Sequence, residues 1–346
     1  MMKKILVTGG LGYIGSHISI SLLQKGYEVT LIDSLINSNL ETFEKIKNIV
    51  KIESPEFENK IEFAMGDIRD PKFLEIVFKK ARYTKNYDAV MHFAGLKSVE
   101  ESLENPLKYW DFNVGGSLNL IKFMDKYECR TLIFSSSATV YGFFEGIPFT
   151  EESKINPLNP YAKTKAYIEK LTYDLYKSNK NWRISNLRYF NPIGYHPSGI
   201  LKENPLDNTQ NIFPTICKVA KGYKEKIQIF GNDWDTRDGT CMRDYIHIMD
   251  LSEGHLLALE YLFSCEKILL NLNLGKGEAI TVLELINTFE KVNKVKIVKN
   301  FSKKRNGDVA ILVADVSLAK KLLNWRAKKS LAQMCIDGWK GQLSIS

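Results

Sequence analysis

Tyr161 and Lys165, within the stretch YAKTK, are the first residues of this sequence whose types and spacing could do chemistry. Asn159-Pro160 marks a helix start, so the two side chains fall at i and i+4 on one helical face. An isolated tyrosine has a pKa of ~10 and is a poor base at neutral pH. A lysine ammonium about 5 Å away would favour the phenolate by about two pKa units. Such a tyrosine can act as base toward a hydroxyl and as acid toward a carbonyl, although the same spacing is common on solvated helix faces.

Three consecutive serines, Ser135 to Ser137, end a predicted strand and offer a third polar group. They could simply satisfy backbone groups at the strand end. A hydroxyl on Ser137 would nevertheless face the same pocket as Tyr161, where it could bond a reacting oxygen and pass its proton. Beside a bound dinucleotide, serine, tyrosine and lysine predict hydride transfer at a carbinol carbon.

A glycine cluster near the start of the chain, VTGGLGYIGSH, predicts the dinucleotide site itself. Gly10, Gly12 and Gly15 fit G-x-G-x-x-G, which presents backbone N–H groups to a pyrophosphate where a strand passes into a helix. The strand KKILVT precedes the glycines and a second strand, EVTLID, ends at Asp33. A carboxylate there accepts both hydroxyls of an adenosine ribose and repels a 2′-phosphate, so the sequence favours NAD over NADP.

Alternating short strands and helices must position these groups. KILVT, EVTLID, IEFAMGD, DAVMHFAG and TLIFSSS are the strand candidates, and their alternation with helices predicts an α/β fold. We expect a Rossmann-like doubly wound parallel sheet over residues 1–190, with ligands at the carboxyl ends of its strands. Residues 191–346 are expected to form a smaller C-terminal α/β substrate domain, with a segment near 244–263 returning to the first domain.

Composition narrows the classes of function. The chain has 346 residues, 44% of them hydrophobic, and a net charge of +8 that is spread along its length. Dispersed lysines argue against nucleic-acid binding and suit an anionic small substrate. Five scattered cysteines without a C-x-x-C pair argue against a disulfide framework or a zinc site. We expect no signal peptide, no membrane span, no metal and a cytoplasmic location.

The motifs taken in order resemble those of a known family. G-x-x-G-x-x-G, a serine before Y-x-x-x-K, and the N-x-x-G stretch that starts at Asn113 are similar to the extended short-chain dehydrogenase/reductase family. More narrowly, GDIRD, HFAGLKSVEES, FSSSATVYG, LRYFNPIGYHPSG, IFGNDWDTRDGT, RDYIHIMDLSEGH and LNW resemble the UDP-glucose 4-epimerases within it. The resemblance covers nearly the whole chain.

The resemblance implies contacts to NAD along the sheet edge. It places Gly9, Gly12, Tyr13 and Ile14 at the pyrophosphate, Asp33 at the adenosine ribose, Ser34, Asn37 and Ser38 at the adenosine half, Asp67 and Ile68 at the adenine, Phe93, Ala94, Gly95 and Lys97 along the middle, and Lys165 at the nicotinamide ribose, with Asn113, Ser135, Tyr161 and Phe190 completing the set. Ser34 departs from the asparagine of many relatives.

The resemblance also implies a set of contacts to a UDP-sugar. Its members are Lys97, Ser137, Tyr161, Asn191, Asn211, Ile212, Gln228, Phe230, Arg243, Tyr245, Arg305 and Asp308. Two arginines can neutralise a diphosphate through charge-assisted hydrogen bonds. Leu312 occupies the position that gates pocket size in the family, where tyrosine confines the enzyme to UDP-glucose and UDP-galactose and a small residue also admits N-acetylated sugars. Leucine lies between, so the unacetylated pair is the expected substrate, and UDP-GlcNAc and UDP-GalNAc stay open.

The activity that the resemblance implies is NAD-dependent epimerisation at C4 of a UDP-hexose through a 4-keto intermediate, by a homodimer paired through helices of the first domain. A 4,6-dehydratase of the same family is one alternative, although Ser136-Ser137-Ala138-Thr139 lacks the carboxylates that dehydratases place there. A non-catalytic NAD-sensing protein is the other. Such proteins often lose the tyrosine or the lysine, and this chain keeps both.

Overall fold

The strands of the protein are short, and most are buried. The computed structural model describes residues 2–142, 148–178, 181–201, 211–305 and 308–343. In chain order the strands are β1 (Lys4–Thr8), β2 (Glu28–Asp33), β3 (Ile61–Met65), β4 (Ala89–His92), β5 (Thr131–Ser137), β6 (Arg183–Tyr189), β7 (Asn191–Ile193), β8 (Ile227–Phe230), β9 (Met242–His247), β10 (Ile268–Leu274), β11 (Ala279–Thr281), β12 (Lys299–Ser302) and β13 (Ile311–Leu312).

Helices separate most of these strands. They are α1 (Tyr13–Gln24), α2 (Glu41–Glu53), α3 (Pro71–Thr84), α4 (Val99–Glu104), α5 (Pro106–Tyr109), α6 (Gly116–Lys126), α7 (Pro160–Lys177), α8 (Ile212–Ala220), α9 (Ile248–Phe263), α10 (Val282–Asn293), α11 (Ser317–Leu323) and α12 (Leu331–Leu343). A π-helical segment, Trp110–Gly115, joins α5 to α6, and a single 3₁₀ turn, Ala138–Val140, follows β5.

Seven strands form one sheet in the order β10-β6-β5-β4-β1-β2-β3. β1 pairs in parallel with β2 and with β4, so the chain changes direction of travel across the sheet beside β1. Every residue of β1 and β4 is buried, as expected for strands covered on both faces. This arrangement confirms the predicted Rossmann-like doubly wound fold, and its crevice lies at the carboxyl ends of β1 and β4.

The chain packs into two compact units. Unit 1 comprises residues 1–140, 157–188 and 252–272, and unit 2 comprises 141–156, 189–251 and 273–346. Unit 2 has its own sheets: β9 pairs with β7, β11 and β13, and β8 pairs with β12. The segment that returns to unit 1 is thus 252–272, and 141–156 joins unit 2. How the two units divide cofactor and substrate binding stays a prediction.

A buried ion pair fastens α7 to the sheet of unit 1. Arg188 on β6 donates from Nε and Nη2 to Glu169 on α7, at 3.0 and 2.7 Å. Ser136 Oγ, near the end of β5, donates to the same carboxylate at 2.5 Å. These three side chains are almost fully buried. The carboxylate therefore joins one helix to two strands in a medium of low dielectric.

Glu169→Ala should lower the free energy of unfolding by about 3–5 kcal/mol, because it leaves the buried Arg188 guanidinium without its carboxylate. Urea denaturation measures the loss. Glu62→Ala, which breaks an exposed pair with Lys80, is the matched control and should cost no more than about 1 kcal/mol. Equal losses in the two variants would contradict the structural role of the buried pair.

Candidate active site

The glycine turn after β1 brings three backbone segments into close contact. Gly9 has a φ of +66°, and its N–H donates to Ile32 O on β2 at 2.8 Å. A Cβ on Gly9 would lie 2.7 Å from the backbone nitrogen of Ala94, after β4. A Cβ on Gly15 would collide with the carbonyl oxygen of Gly9. Only glycine fits at these two positions, so the turn stays tight enough for a ligand to approach its backbone.

The N-terminus of α1 has the properties of an anion site. Gly12 is the N-cap residue and supplies no capping side chain, and the first turn contains no acidic residue. The first N–H groups of a helix lack intrahelical partners and stand at the positive end of its dipole. Tyr13 and Ile14 thus present the backbone donors that a pyrophosphate requires, while the N–H of Gly12 donates to Gly9 O at 3.1 Å and closes the turn. The residues present fit a dinucleotide.

Asp33, at the end of β2, binds the glycine turn as well as facing the predicted ribose site. Its Oδ2 accepts from Leu11 N at 3.0 Å, and its Oδ1 accepts from Leu35 N at 3.0 Å and from Ser38 Oγ at 2.7 Å. An ionised carboxylate has about four acceptor positions, so capacity for hydroxyl groups remains. Ser34 and Asn37 lie on the exposed loop that follows.

Asp67 is more heavily engaged than the sequence suggested. Arg69 donates to its carboxylate from the backbone nitrogen, from Nε and from Nη2, at 2.7 to 3.2 Å. Burial alone would raise the pKa of Asp67, but the Arg69 contacts hold it below its usual value. Ile68 is buried against Gly116 at the start of α6. An adenine contact from Asp67 stays a prediction and would share the carboxylate with Arg69.

The loop after β4 is positioned by a directional chain of hydrogen bonds. Ser117 Oγ donates to Asn113 O, so it must accept the Nε2 proton of His92 at 2.7 Å. His92 Nδ1 is then an acceptor for the Thr8 hydroxyl at 2.7 Å, and Thr8 Oγ1 accepts from Ala94 N. The chain requires neutral His92 with its proton on Nε2.

Asn113 holds the same loop from the other side. Its Oδ1 accepts from Leu96 N at 2.7 Å, and its Nδ2 donates to Leu96 O and to Thr164 Oγ1, each at 3.1 Å. Asn113 lies in the π-helical segment and Thr164 on α7. The amide therefore couples the loop of Phe93, Gly95 and Lys97 to the helix that contains Tyr161. Both Nδ2 hydrogens are used within the protein, and Oδ1 keeps one acceptor position.

Acid should destabilise the protein through His92. Burial, aided by the charge of Lys165, lowers the pKa of His92 to about 3, whereas an unfolded histidine has a pKa of ~6.5. Between these values the unfolded chain binds more protons, so stability is complete above pH ~6.5 and falls by about 1.4 kcal/mol per pH unit as pH drops toward 3.

Urea denaturation of the wild type and of His92→Gln across pH 7 to 4 isolates the contribution of His92 to the free energy of unfolding, because the other titrating groups are common to both proteins. The stability advantage of the wild type should shrink as pH falls through that window. Parallel pH profiles would show that His92 is not held neutral.

The three predicted catalytic side chains meet at the end of β5. Lys165 Nζ donates to Ser135 O at 2.7 Å and lies 4.9 Å from the ring centroid of Phe134. It lies 5.9 Å from the ring centroid of Tyr161. Tyr161 is hydrogen-bonded to Ser137 and feels the charge of Lys97. The structure thus brings Ser137, Tyr161, Lys165 and Lys97 together within unit 1.

The protonation of this site differs from the sequence-based expectation. Burial raises the pKa of Tyr161; the Ser137 hydrogen bond and the charge of Lys97 oppose the increase only in part. Burial also lowers the pKa of Lys165 to about 8. The expectation that Lys165 would lower the Tyr161 pKa is therefore wrong for this structure, because desolvation disfavours the charged form of both groups.

Arg243, on β9 of unit 2, lies in a rigid frame. Its Nη1 donates to Met242 O and Val309 O at 2.9 and 2.8 Å, and its Nη2 lies 3.5 Å from Asp308 Oδ1. The neighbouring Asp244 is fully buried and accepts from the backbone nitrogens of Lys276, Gly277 and Ala314. Burial raises the pKa of Asp244 to about 6 despite these bonds. Asp244 thus holds the backbone segments around β9 in place.

The other predicted substrate residues of unit 2 lie on several elements. Arg305 stacks on Phe230 with 3.7 Å from Cζ to the ring centroid, and Gln228 lies in the same strand as Phe230 and hydrogen-bonds Ser302. Asn191 Nδ2 donates to Asp244 O at 3.2 Å. The remaining positions are Asn211 and Ile212 at the start of α8 and Leu312, which pairs with Arg243 across β13 and β9. Phe190, from the predicted cofactor set, lies between β6 and β7.

Tyr245 does not match its predicted role. Its side chain is 2% exposed and packs in the apolar core of unit 2 with Ile193 and Phe213. Its hydroxyl has no hydrogen-bond partner among the described residues, and burial raises its pKa. The predicted side-chain contact between Tyr245 and a sugar nucleotide is therefore corrected. Alternation places Tyr245 on the same face of β9 as Arg243, but at Tyr245 that face is covered by the apolar core of unit 2.

Sequence reasoning missed several residues that the site uses. Thr139 and Thr164 hydrogen-bond side chains of the predicted set, Ser137 and Asn113. His92 joins Thr8 to Ser117 behind the loop after β4, and Glu169 lies four residues after Lys165 on α7. The i, i+4 spacing of Glu169 was visible in the sequence. The partners of Thr164 and His92 were not, because they come from distant segments. Thr139 is only two residues from Ser137, but the 3₁₀ turn that brings its two donors to one oxygen was not visible in the spacing. No group of three metal-ligating side chains and no helix fit to span a bilayer occurs among the described residues.

A parallel sheet with an uncapped glycine turn, and with serine, tyrosine and lysine at the carboxyl end of β5, defines the short-chain dehydrogenase/reductase class. The chain belongs to the family whose profile is described as GDP-mannose 4,6 dehydratase, which matches residues 6–337. Within it, the predicted resemblance to UDP-glucose 4-epimerases is confirmed.

Three relatives illustrate the likeness. The chain is 44% identical over 338 residues to a bifunctional UDP-glucose 4-epimerase and UDP-xylose 4-epimerase from Pisum sativum, covering 97% of this chain and 95% of that one. A crystal structure of UDP-glucose 4-epimerase from Stenotrophomonas maltophila, with NAD and formylated UDP-arabinopyranose, matches with a TM-score of 0.92 and 41% identity over 99% and 98% of the two chains. The crystal structure of UDP-glucose 4-epimerase from Bifidobacterium longum, in complex with NAD+ and UDP, matches with a TM-score of 0.91 and 38% identity over 98% of each chain.

Proposed function

We propose that the protein catalyses the NAD-dependent epimerisation of a UDP-hexose at C4 and interconverts UDP-glucose and UDP-galactose through a 4-keto sugar. The observation that carries the proposal is the placement of Tyr161 and Lys165 at the serines that end β5: Lys165 Nζ donates to Ser135 O at 2.7 Å and lies 5.9 Å from the ring centroid of Tyr161. Ser137 and Lys97 lower the pKa of Tyr161, by a hydrogen bond and by charge. These are the groups that proton transfer at a sugar hydroxyl requires. The Stenotrophomonas structure contains NAD and formylated UDP-arabinopyranose, and the Bifidobacterium structure contains NAD+ and UDP, which supports NAD and a UDP-sugar as ligands here.

NAD, when bound, accepts the two electrons and the hydrogen of C4 and later returns them to the same sugar. The residues of the protein manage the proton. Tyr161 Oη takes the proton of the 4-hydroxyl as the carbonyl forms and gives it back when the carbonyl is reduced. Ser137 and Lys97 favour the phenolate in the first step, and Lys165 holds the end of β5 through Ser135.

The diphosphate and uridine of the substrate are the parts that we assign to unit 2. Arg243 and Arg305 supply positive charge, and Phe230 supplies an aromatic face. Arg243 is held by a hydrogen bond to the backbone oxygen of Val309, and Arg305 is held by stacking on Phe230. The hexose must turn over between oxidation and reduction. We therefore expect the protein to bind the UDP part tightly and to make few contacts with the sugar ring.

Incubating the protein with UDP-galactose, without added NAD, and following the products by NMR tests the proposal. UDP-glucose should appear, and a deuterium placed at C4 should stay on C4 because the same molecule is oxidised and reduced. Loss of the label to water would contradict the mechanism.

Tyr161→Phe should keep UDP binding and lower kcat by about 10²–10⁴-fold, since it removes the proton acceptor; a near wild-type rate would exclude Tyr161 as the base.

The same NMR experiment separates two alternatives. A 4,6-dehydratase, which the description of the matching family suggests, would yield a 4-keto-6-deoxy sugar. Ser136 to Thr139 offer hydroxyl groups and no carboxylate for such an elimination. A non-catalytic NAD-sensing protein would convert nothing, and the retention of both Tyr161 and Lys165 argues against it.

Substrate range is the part of the proposal that rests on Leu312. This half-buried side chain stands beside Arg243 in the sheet register, and its intermediate size leaves N-acetylated sugars open. Leu312→Tyr should reduce kcat/KM for UDP-GalNAc relative to UDP-galactose by about tenfold or more, because the larger ring removes space for the acetamido group. Comparing both substrates in both proteins measures the ratio, and an unchanged ratio would remove Leu312 from the specificity site.

Assembly and location stay proposals as well. Leu103, Leu107 and Tyr167 on the helices of unit 1 are more than half exposed, which supports the expected homodimer. Sedimentation at the mass of a single chain would contradict the dimer. The five free cysteines suit a reducing compartment such as the cytoplasm, and cell fractionation tests that location.

A further inference from the structure

Thr139, a residue that the proposed mechanism does not use, lies against the catalytic serine. It is the middle residue of the 3₁₀ turn that follows β5, and it is half-buried. Its hydroxyl donates to Ser137 Oγ at 2.9 Å. Its backbone N–H points to the same oxygen, at 3.3 Å. Two donors from one residue therefore converge on one hydroxyl oxygen.

This convergence limits what Ser137 can do. A serine hydroxyl has two acceptor positions and one proton to donate. Both acceptor positions are occupied by Thr139, so Ser137 can enter a further hydrogen bond only as the donor. Its partner within the site is Tyr161. The proton of Ser137 is thus directed at the tyrosine oxygen.

We propose that Thr139 is a positioning residue that makes Ser137 an obligate donor toward Tyr161, so that the proton of the sugar hydroxyl passes directly to Tyr161 and not through Ser137. The inference rests on the proposed function for its catalytic meaning. A donated proton stabilises the phenolate more than the phenol, which agrees with the direction in which Ser137 acts on the Tyr161 pKa. Thr139 acts through Ser137 alone and touches no reacting atom.

A pair of variants at position 139 tests the proposal. Thr139→Val keeps the size of the side chain and the backbone N–H but removes the hydroxyl, while Thr139→Ser keeps the hydroxyl. The valine variant should lower kcat for UDP-galactose about tenfold with little change in KM, and move the acid limb of the kcat–pH profile up by about one pH unit. The serine variant should stay near the wild type in both respects.

Two results would overturn the inference. One is a valine variant with the kcat and pH profile of the wild type. The other is a loss of kcat in both variants with no displacement of the pH profile, which indicates packing rather than hydrogen bonding. Intact folding of each variant is checked by its urea midpoint and its content of bound NAD.

A double-mutant cycle adds a second criterion. If Thr139 works only through Ser137, then Thr139→Val added to Ser137→Ala should cause no further loss of kcat. Additive losses would contradict the proposal.

A wild-type protein without turnover would refute the proposed function and leave this inference testable. The near-ultraviolet phenolate absorbance of Tyr161, assigned by difference from Tyr161→Phe in the presence of NAD, should then titrate at a higher pH in Thr139→Val. Identical titrations in the two proteins would overturn it.

Discussion

The packing of α7 onto the end of β5 is the interaction on which the rest of the site depends. Two residues one helical turn apart on α7 make the contact. Lys165 donates to Ser135 O, Glu169 accepts from Ser136 Oγ, and both hydrogen bonds are buried. Neither polar group can leave without exposing an unpaired partner, which is costly at low dielectric. The helix therefore cannot slide along the strand. Tyr161, one turn before Lys165, is held at Ser137, and all the chemistry follows from that placement.

The same burial that secures α7 works against charge. It raises the pKa of Tyr161 and lowers those of Lys165 and His92. The residues that favour the phenolate act locally and are few: Ser137 by hydrogen bond and Lys97 by charge. Burial and these two local contacts therefore act in opposite directions on the ionisation of Tyr161.

In unit 2, as in unit 1, a buried carboxylate holds neighbouring segments in place. Asp244 accepts three backbone N–H groups and orders the segments around β9, while Arg243 beside it points its guanidinium at backbone oxygens and Asp308. The buried carboxylate thus shapes the strand, and the neighbouring cation stays available to an anion. Alternation along β9 directs the side chains of Arg243 and Asp244 to opposite faces. Tyr245 shares the face of Arg243 but is covered by the apolar core of unit 2.

The sequence by itself determined the features that backbone geometry and local spacing demand. The glycines of the first turn, Asp33 at the end of β2, the i, i+4 pair of Tyr161 and Lys165, and the alternation of strands and helices identify the fold and the class of cofactor, because each depends on neighbours within a few residues. Only the tertiary structure decided that Thr139 saturates Ser137, that His92 is neutral, that Glu169 pairs with Arg188, and that Tyr161 resists ionisation. The Thr139 contact depends on the 3₁₀ turn that follows β5, which the residue types alone do not reveal. The other outcomes depend on burial and on partners from distant segments, and local spacing does not encode how deeply a charge is removed from water.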